Sequence, residues 1–421
     1  MIANYNFRVD QVESLTSDVA AYAITYVATG VYGENREVSG GVLIPNLPSS
    51  QIKGVVLYYH GTSVTKSGIP SCFIGVQNVE PIYCHSNSDS GELLGSTLAS
   101  QGYIVIMPDY IGSGIDAQVL HPYILYPQTN ATTGINMLTA TRSLLTKLGY
   151  PTNLLNLYVT GFSEGGAYSL WATKLLQTSA KSTIAASGFN LKYTAALSGA
   201  YDLVNVQLPM ESANVNINDA NPYNILNTLT ATFAKPILIG YVLTAYGYYN
   251  LDQNYSTLMV PGFFNCMTCL INSKTYTIAT LLNDPSLTES DIAQYLISSA
   301  LTTGYGSNGN NSDNPLIVDG LQDDLAFNQK LIDASITSFS SSSHITLVYL
   351  NKDSVVSNLN SMNAYNGIKN ASDANMIIAN PIDNSLYLHY DNISKIDQPI
   401  DHNQSVPFIL IAALAAFNNE Q

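Results

Sequence analysis

Apolar and polar positions along the chain fall into two kinds of short run before any longer period appears. Val19 to Thr29 and Arg36 to Ile44 are β-rich and flank the turn-forming stretch Gly30 to Glu34, a pattern that predicts an antiparallel hairpin. After the turn Asn46 to Ser50, five further runs are apolar almost throughout: Val55 to Tyr59, Tyr103 to Met107, Leu157 to Thr160, Tyr193 to Ser198 and Thr346 to Leu350. Strands of that kind are buried on both faces, as in a parallel sheet covered by helices. Helical spacing appears between them. Thr132 to Leu148 carries Ile135, Leu138, Leu144, Leu145 and Leu148 on one stripe, and Glu164 to Leu176 carries Ala167, Leu170, Trp171 and Leu175. The alternation of strand and helix predicts the α/β class, with a mostly parallel central sheet and helices on both faces.

The alternation breaks after Asp202. Residues 203 to 340 hold apolar helical runs separated by Asn, Pro and Gly clusters, without a clear β run. This predicts a mostly helical cap inserted into a core built from residues 1–202 and 341–421. A chain of 421 residues has room for both. Gly304 to Asn314 is expected to be a surface loop of the insertion, and Val406 to Phe417, opened by Pro407, a final helix packed on the sheet.

The chemistry concentrates at Gly161-Phe162-Ser163-Glu164-Gly165-Gly166. A serine hydroxyl is a poor nucleophile unless it is held exposed beside a base, and one solution is a strained turn from a strand into a helix. Gly161-x-Ser163-x-Gly165 has that form and lies between a predicted strand and a predicted helix, which makes Ser163 the candidate nucleophile. Acyl transfer also needs preorganised N–H donors for the tetrahedral oxyanion, one of them on the residue after the nucleophile, here Glu164. The second donor is expected in the loop after the third strand, at Gly61 with Thr62 as its neighbour. His60 is read as structural.

Tyr59-His60-Gly61-Thr62, Pro108-Asp109-Tyr110-Ile111-Gly112-Ser113-Gly114, His121-Pro122-Tyr123 and the Ser163 segment together resemble the secretory lipase family of fungi and bacteria. The likeness is most specific over residues 55 to 175. It implies an α/β-hydrolase core, a mostly helical cap after the sixth strand, metal-free cleavage of lipid-like carboxylic esters, and a Ser, Asp, His triad. Asp109 would then shape the turn after the fourth strand rather than act in catalysis.

The acid is expected after the seventh strand, since open α/β sheets place their sites at the strands' C-terminal ends. Asn351-Lys352-Asp353 supplies Asp353 there, with Asp202 after the sixth strand as the alternative. In this fold the chain order is nucleophile, acid, histidine, so only His389 and His402 remain as bases. His389 lies in an alternating run, Ser385 to Tyr390, that predicts a strand. His402 lies in the polar stretch Asp401 to Ser405 before the final helix, where a loop can carry the imidazole to Ser163 and Asp353, and it is the choice.

Composition narrows the partners. A net charge of −15 repels phosphate backbones, which argues against nucleic acid and for a neutral small-molecule or lipid ester. No apolar stretch reaches the roughly 20 residues of a membrane span, and no cofactor is expected. Few Lys, many Asn and Ser, and a possible Cys72–Cys84 disulfide point to a secreted or extracytoplasmic protein, although the start lacks the features of a signal peptide. Cys266 and Cys269 lack the partners of a zinc site. The sequons at Asn130, Asn254 and Asn392 arise readily in an Asn-rich chain. The expected activity is that of a serine esterase or lipase. A peptidase of the prolyl oligopeptidase type, an acyltransferase and a catalytically dead binding protein are the alternatives, and too few residues precede the third strand for that peptidase's propeller.

Overall fold

The computed structural model describes residues 18–63, 69–74, 90–150, 155–208, 225–250, 325–351, 353–371, 377–382, 387–388, 398–399, 402 and 405–418. Strands β1 (Val19–Thr29) and β2 (Asn35–Pro45) form the expected hairpin, with Thr29 opposite Asn35 next to the turn. The five apolar runs become β3 (Gly54–Tyr59), β4 (Tyr103–Pro108), β5 (Leu155–Phe162), β6 (Phe189–Leu197) and β7 (His344–Leu350). With β8 (Ile377–Ile382) they build one eight-stranded sheet in the order β1-β2-β4-β3-β5-β6-β7-β8. The pairs β1·β2 and β2·β4 are antiparallel, and those from β4 through β8 are parallel.

Successive side chains of a strand point to opposite faces, so each central strand feeds two cores. Val55, Leu57 and Tyr59 of β3 pack in a cluster with α3 (Pro127–Lys147) and α4 (Glu164–Gln177), whereas Val56 and Tyr58 pack with α2 (Ser90–Ser100), which follows the single turn α1 (Pro70–Phe73), and with the last helix, Val406–Asn418. Pro127 at the first turn of α3 starts that helix five residues before the apolar stripe indicates, because proline is tolerated where the helix needs no N–H. The early start places Asn130 inside the helix, fully buried, with Nδ2 donating to Pro122 O at 3.2 Å and to the Tyr168 hydroxyl at 2.9 Å. A glycan cannot be carried there in the folded protein.

Among the described residues, the helix after β7 and strand β8 carry no clear sequence signal. The helix Asn358–Ala371 is rich in Asn, a weak helix former, but it buries Ala364 and Ile368, four residues apart, against the sheet. Strand β8 contains Pro381 and sits at the sheet edge, where a missing N–H is tolerated.

Of the expected insertion, the structure describes the turn Leu203–Gln207 and the helices Ile225–Asn250 and Leu325–Ala334. Ile239, Tyr241, Val242, Leu243 and Tyr246 pack against Leu120, Tyr123 and Leu125 and against Val355 and Val356. These side chains of the helix Ile225–Asn250 are thus core between that helix and the loops after β4 and β7. The loop at 304–314 lies outside the described residues, as do His389, Asn254 and Asn392. Cys72 is disulfide-bonded, and Cys84, Cys266 and Cys269 lie outside the described residues.

Chain order and sheet order differ at β3. The chain leaves β3 for β4 on one side, then crosses back to β5 on the other, and from β5 it continues to β6 in the opposite direction. Connections that diverge in this way open a crevice at the C-terminal ends of the two strands. Gly61 follows β3 and Ser163 follows β5.

Candidate active site

Strand β5 ends at Phe162 and helix α4 begins at Glu164, so the whole reversal falls on Ser163. Its φ of 57° with ψ of −118° is a backbone state that residues with a Cβ avoid. The neighbours explain why it persists. A Cβ at Gly161 would stand 2.2 Å from the Gly165 carbonyl oxygen, one at Gly165 2.0 Å from that of Tyr59, and one at Gly166 2.6 Å from that of Leu197. Each position therefore admits only glycine, and the spacing of the motif follows from how tightly α4 is drawn onto β3 and β6. Ser163 N donates to Leu197 O at 2.9 Å and Ser163 O accepts from Gly166 N at 2.9 Å, which fixes the turn from both sides.

Two side chains from far along the sequence meet this serine. His402 Nε2 lies 2.9 Å from Ser163 Oγ, and His402 Nδ1 lies 2.7 Å from Asp353 Oδ2. A carboxylate only accepts, so Nδ1 carries the proton and Nε2 is left facing the hydroxyl as acceptor. Asp353 is held by its other oxygen, which accepts from Val355 N at 2.9 Å and Val356 N at 2.8 Å. His402 is held by the Phe162 ring stacked 4.7 Å from its own, and by Ser405, whose hydroxyl donates to its carbonyl at 2.5 Å. All three side chains are buried.

Asp202 is engaged elsewhere. Oδ1 accepts from Asn205 N at 3.1 Å and Asn205 Nδ2 at 2.9 Å, capping the turn after β6, and Oδ2 accepts from Asn363 Nδ2 at 2.8 Å.

Gly61 lies against the serine turn. A Cβ there would come 3.2 Å from the Phe162 ring and 3.7 Å from Ser163 Cβ. Across the crevice, Glu164 and Gly165 open a helix, and first-turn amides have no partner within their own helix. Both segments can therefore turn N–H groups toward charge that develops beside Ser163. Thr62 Oγ1 is 3.2 Å from the Tyr123 hydroxyl.

A second buried network, which sequence reasoning missed, lies behind the serine turn. Glu164 Oε1 is 2.7 Å from His121 Nε2 and accepts from the Tyr168 hydroxyl at 2.5 Å. His121 Nδ1 donates to Ile111 O at 2.8 Å. Burial, and then the charge of Glu164, push the Tyr168 phenol well above its usual range. Tyr110, at φ 72°, stacks on His60 at 4.1 Å and on His121 at 5.5 Å, edge-on to Tyr168. Nothing local in the sequence pairs residues 121 and 164. The one available signal was that His121-Pro122-Tyr123 and Tyr110 belong to the stretches that carry the family resemblance.

Asp109 is fully buried, where it accepts from Ser39 Oγ at 2.6 Å and Ser71 N at 2.9 Å. Burial raises its carboxyl above the ordinary value despite these bonds. It ties β2 to the segment after β3 and does not touch Ser163. Nearby, Arg36 binds Asp116 through Nε at 2.8 Å, which clamps the hairpin to the loop after β4. Among the described residues no group of three or more His, Cys, Asp or Glu side chains is arranged to hold a metal ion, and no helix is long and apolar enough to cross a membrane.

No protein family and no curated protein matches the sequence. Solved structures do match. A Legionella pneumophila protein aligns over 96% of this chain and 89% of its own with 20% identity and a TM-score of 0.67. LipA, a rice cell wall degrading esterase from Xanthomonas oryzae, aligns over 98% and 94% with 19% identity and a TM-score of 0.66. Candida antarctica lipase A aligns over 96% and 80% with 14% identity and a TM-score of 0.55. At such identities the likeness speaks to architecture. With the sheet order, the glycine-bound serine turn after β5 and these alignments in agreement, the chain has the α/β-hydrolase fold.

Proposed function

We propose that the protein is a serine carboxylic-ester hydrolase, an esterase or lipase, that acts on neutral lipid-like esters through an acyl-enzyme. The observation that carries this reading is the single imidazole of His402, which bridges Ser163 Oγ at 2.9 Å and Asp353 Oδ2 at 2.7 Å. His402 Nε2 takes the proton as Ser163 Oγ bonds to the ester carbonyl carbon, and Asp353 orients the imidazole and stabilises the imidazolium that forms. The amides of Gly61 and Glu164 hold the resulting oxyanion. Collapse breaks the bond to the alkoxy group, which leaves as alcohol with the proton from His402. Water, activated by the same nitrogen, then releases the acid. An alcohol in place of that water would make the reaction an acyl transfer.

Three further observations support the reading. The structural neighbours include an esterase and a lipase. The sequence resembles secretory lipases in the segments that build the site. The charge of −15 favours an uncharged substrate over a phosphorylated one. The disulfide at Cys72 fits an oxidising, extracytoplasmic location. Residues 203–340 are proposed as the cap over this crevice.

The test is a series of p-nitrophenyl esters from acetate to palmitate, run beside a proline-containing peptide and a serine-reactive phosphonate. Ester turnover with a phosphonate adduct on Ser163 is expected. Cleavage of the peptide alone would favour the peptidase, and an adduct on a different serine would overturn the assignment.

A further inference from the structure

The hydrogen bonds on either side of Gly61 reach beyond the reacting groups. The carbonyl of His60 accepts from the Tyr110 hydroxyl at 2.8 Å, and the carbonyl of Gly61 lies 2.7 Å from His60 Nδ1. A carbonyl only accepts, so Nδ1 is the donor there. In a trans peptide the C=O and the following N–H lie in one plane and point in opposite directions. Fixing the His60 carbonyl therefore fixes the direction of the Gly61 amide, and fixing the Gly61 carbonyl fixes that of Thr62.

Glycine makes such anchoring necessary. Gly61 stands where a Cβ would press on Phe162, and its own backbone is the least restricted of any residue. Left to itself the segment could turn its amides away from the crevice, and an oxyanion hole contributes only when its donors are aimed before the reaction begins. The anchors are themselves rigid. His60 and Tyr110 are buried and their rings stack 4.1 Å apart. Tyr110 is wedged further by His121, stacked 5.5 Å away, and by Tyr168 edge-on to it. Its φ of 72° is an unfavourable state for a tyrosine, so the fold keeps the ring in this place against a local preference.

We propose that Tyr110 and His60 are positioning residues that aim the backbone amides at Gly61 into the oxyanion hole, without touching substrate. The proposal rests on Ser163 being the nucleophile. It predicts a loss confined to the charged intermediate, which a trifluoromethyl ketone mimics by forming a hemiketal oxyanion on the serine.

Tyr110→Phe removes the hydroxyl and keeps the ring. It should lower kcat about 10- to 100-fold with KM within about twofold, and weaken ketone binding by a similar factor. Thr160→Val serves as the structural control, because Thr160 Oγ1 makes a buried bond to Ala195 O at 2.7 Å in the neighbouring strands. It should lower Tm and leave kcat and ketone affinity unchanged. His60→Leu should act like Tyr110→Phe. His60→Asn, whose amide nitrogen can stand near the place of Nδ1, should recover most of the ketone affinity. A Tyr110→Phe enzyme with lowered Tm but unchanged kcat and ketone affinity would overturn the proposal. Should that variant not fold, equal ketone affinity in His60→Leu and His60→Asn would overturn it. A wild-type phosphonate adduct away from Ser163 would instead overturn the reading on which it rests.

Discussion

Two histidine–carboxylate pairs flank the serine turn, and they are nearly indistinguishable as pairs. His402 meets Asp353 at 2.7 Å and His121 meets Glu164 at 2.7 Å, with all four side chains buried. What separates them is the second ring nitrogen. In His121 it donates to the Ile111 carbonyl, an acceptor that can never give up a proton. In His402 it faces the Ser163 hydroxyl, a group that can both donate and give up a proton. A buried imidazole beside a carboxylate is therefore no sign of catalysis by itself. The group opposite decides whether the pair can move a proton or only hold two segments together, here the loop after β4 and the start of α4.

Breaking each pair in turn sharpens this contrast. His402→Ala and Ser163→Ala are each expected to lower kcat by about 10⁴- to 10⁶-fold, with the fold intact by circular dichroism, because members of such a unit fail together. Steady-state turnover of a p-nitrophenyl ester measures this, and substantial residual activity in either variant would assign the chemistry elsewhere.

Asp353→Asn comes next, with a loss of about 10⁴-fold, since an amide stabilises the wrong imidazole tautomer and cannot balance an imidazolium. Asp202→Asn, which alters a turn cap and a bond from Asn363 without touching Ser163 or His402, is the matched comparison and should stay within about threefold of wild type in kcat. Interchanged results would move the acid to the loop after β6.

His121→Ala should show the opposite profile. Removing one member of a buried pair should cost about 3 to 5 kcal/mol of stability by urea denaturation, with kcat falling no more than about tenfold. A loss in kcat comparable to that of His402→Ala would mean that the second pair takes part in the chemistry.

The smallest effect concerns Asp109, whose donors are a hydroxyl and an amide. Burial raises its carboxyl above the ordinary 3.8, so the ionised form is disfavoured in the folded state. For a raised native value, the contribution to stability is complete below the unfolded value and is lost as pH rises through the native one. Wild type should therefore lose stability relative to Asp109→Asn as pH rises above about 4, other carboxylates cancelling in the difference. Parallel urea midpoints for the two proteins from pH 4 to 8 would contradict this.

How much of this was legible in the chain differs between its parts. The hairpin, the apolar strands, α4 and the last helix could be read from the sequence because periodicity and turn residues act within a few positions of one another. The serine turn was legible for the same reason, since Gly161, Gly165 and Gly166 record a local steric need. Asp353 follows from its place after the seventh strand, and chain order leaves His389 and His402, between which only the polar loop around His402 decides; both steps need the fold to be assumed first. The helix at 358–371 and strand β8 escaped because tertiary burial of Ala364 and Ile368, and an edge position for Pro381, override weak local propensity.

By itself, then, the sequence determined the hairpin, the five apolar strands, the glycine-bound turn and the type of side chain available at each loop. Only the tertiary structure decided which of those side chains meet. Ser163 and His402 are 239 positions apart, His121 and Glu164 43, and Tyr110 and His60 50. Contacts over such separations depend on the order in which the strands enter the sheet and on the crossover between β4 and β5. Neither leaves a periodic trace in the chain, because the same apolar strands would be equally well buried in another order.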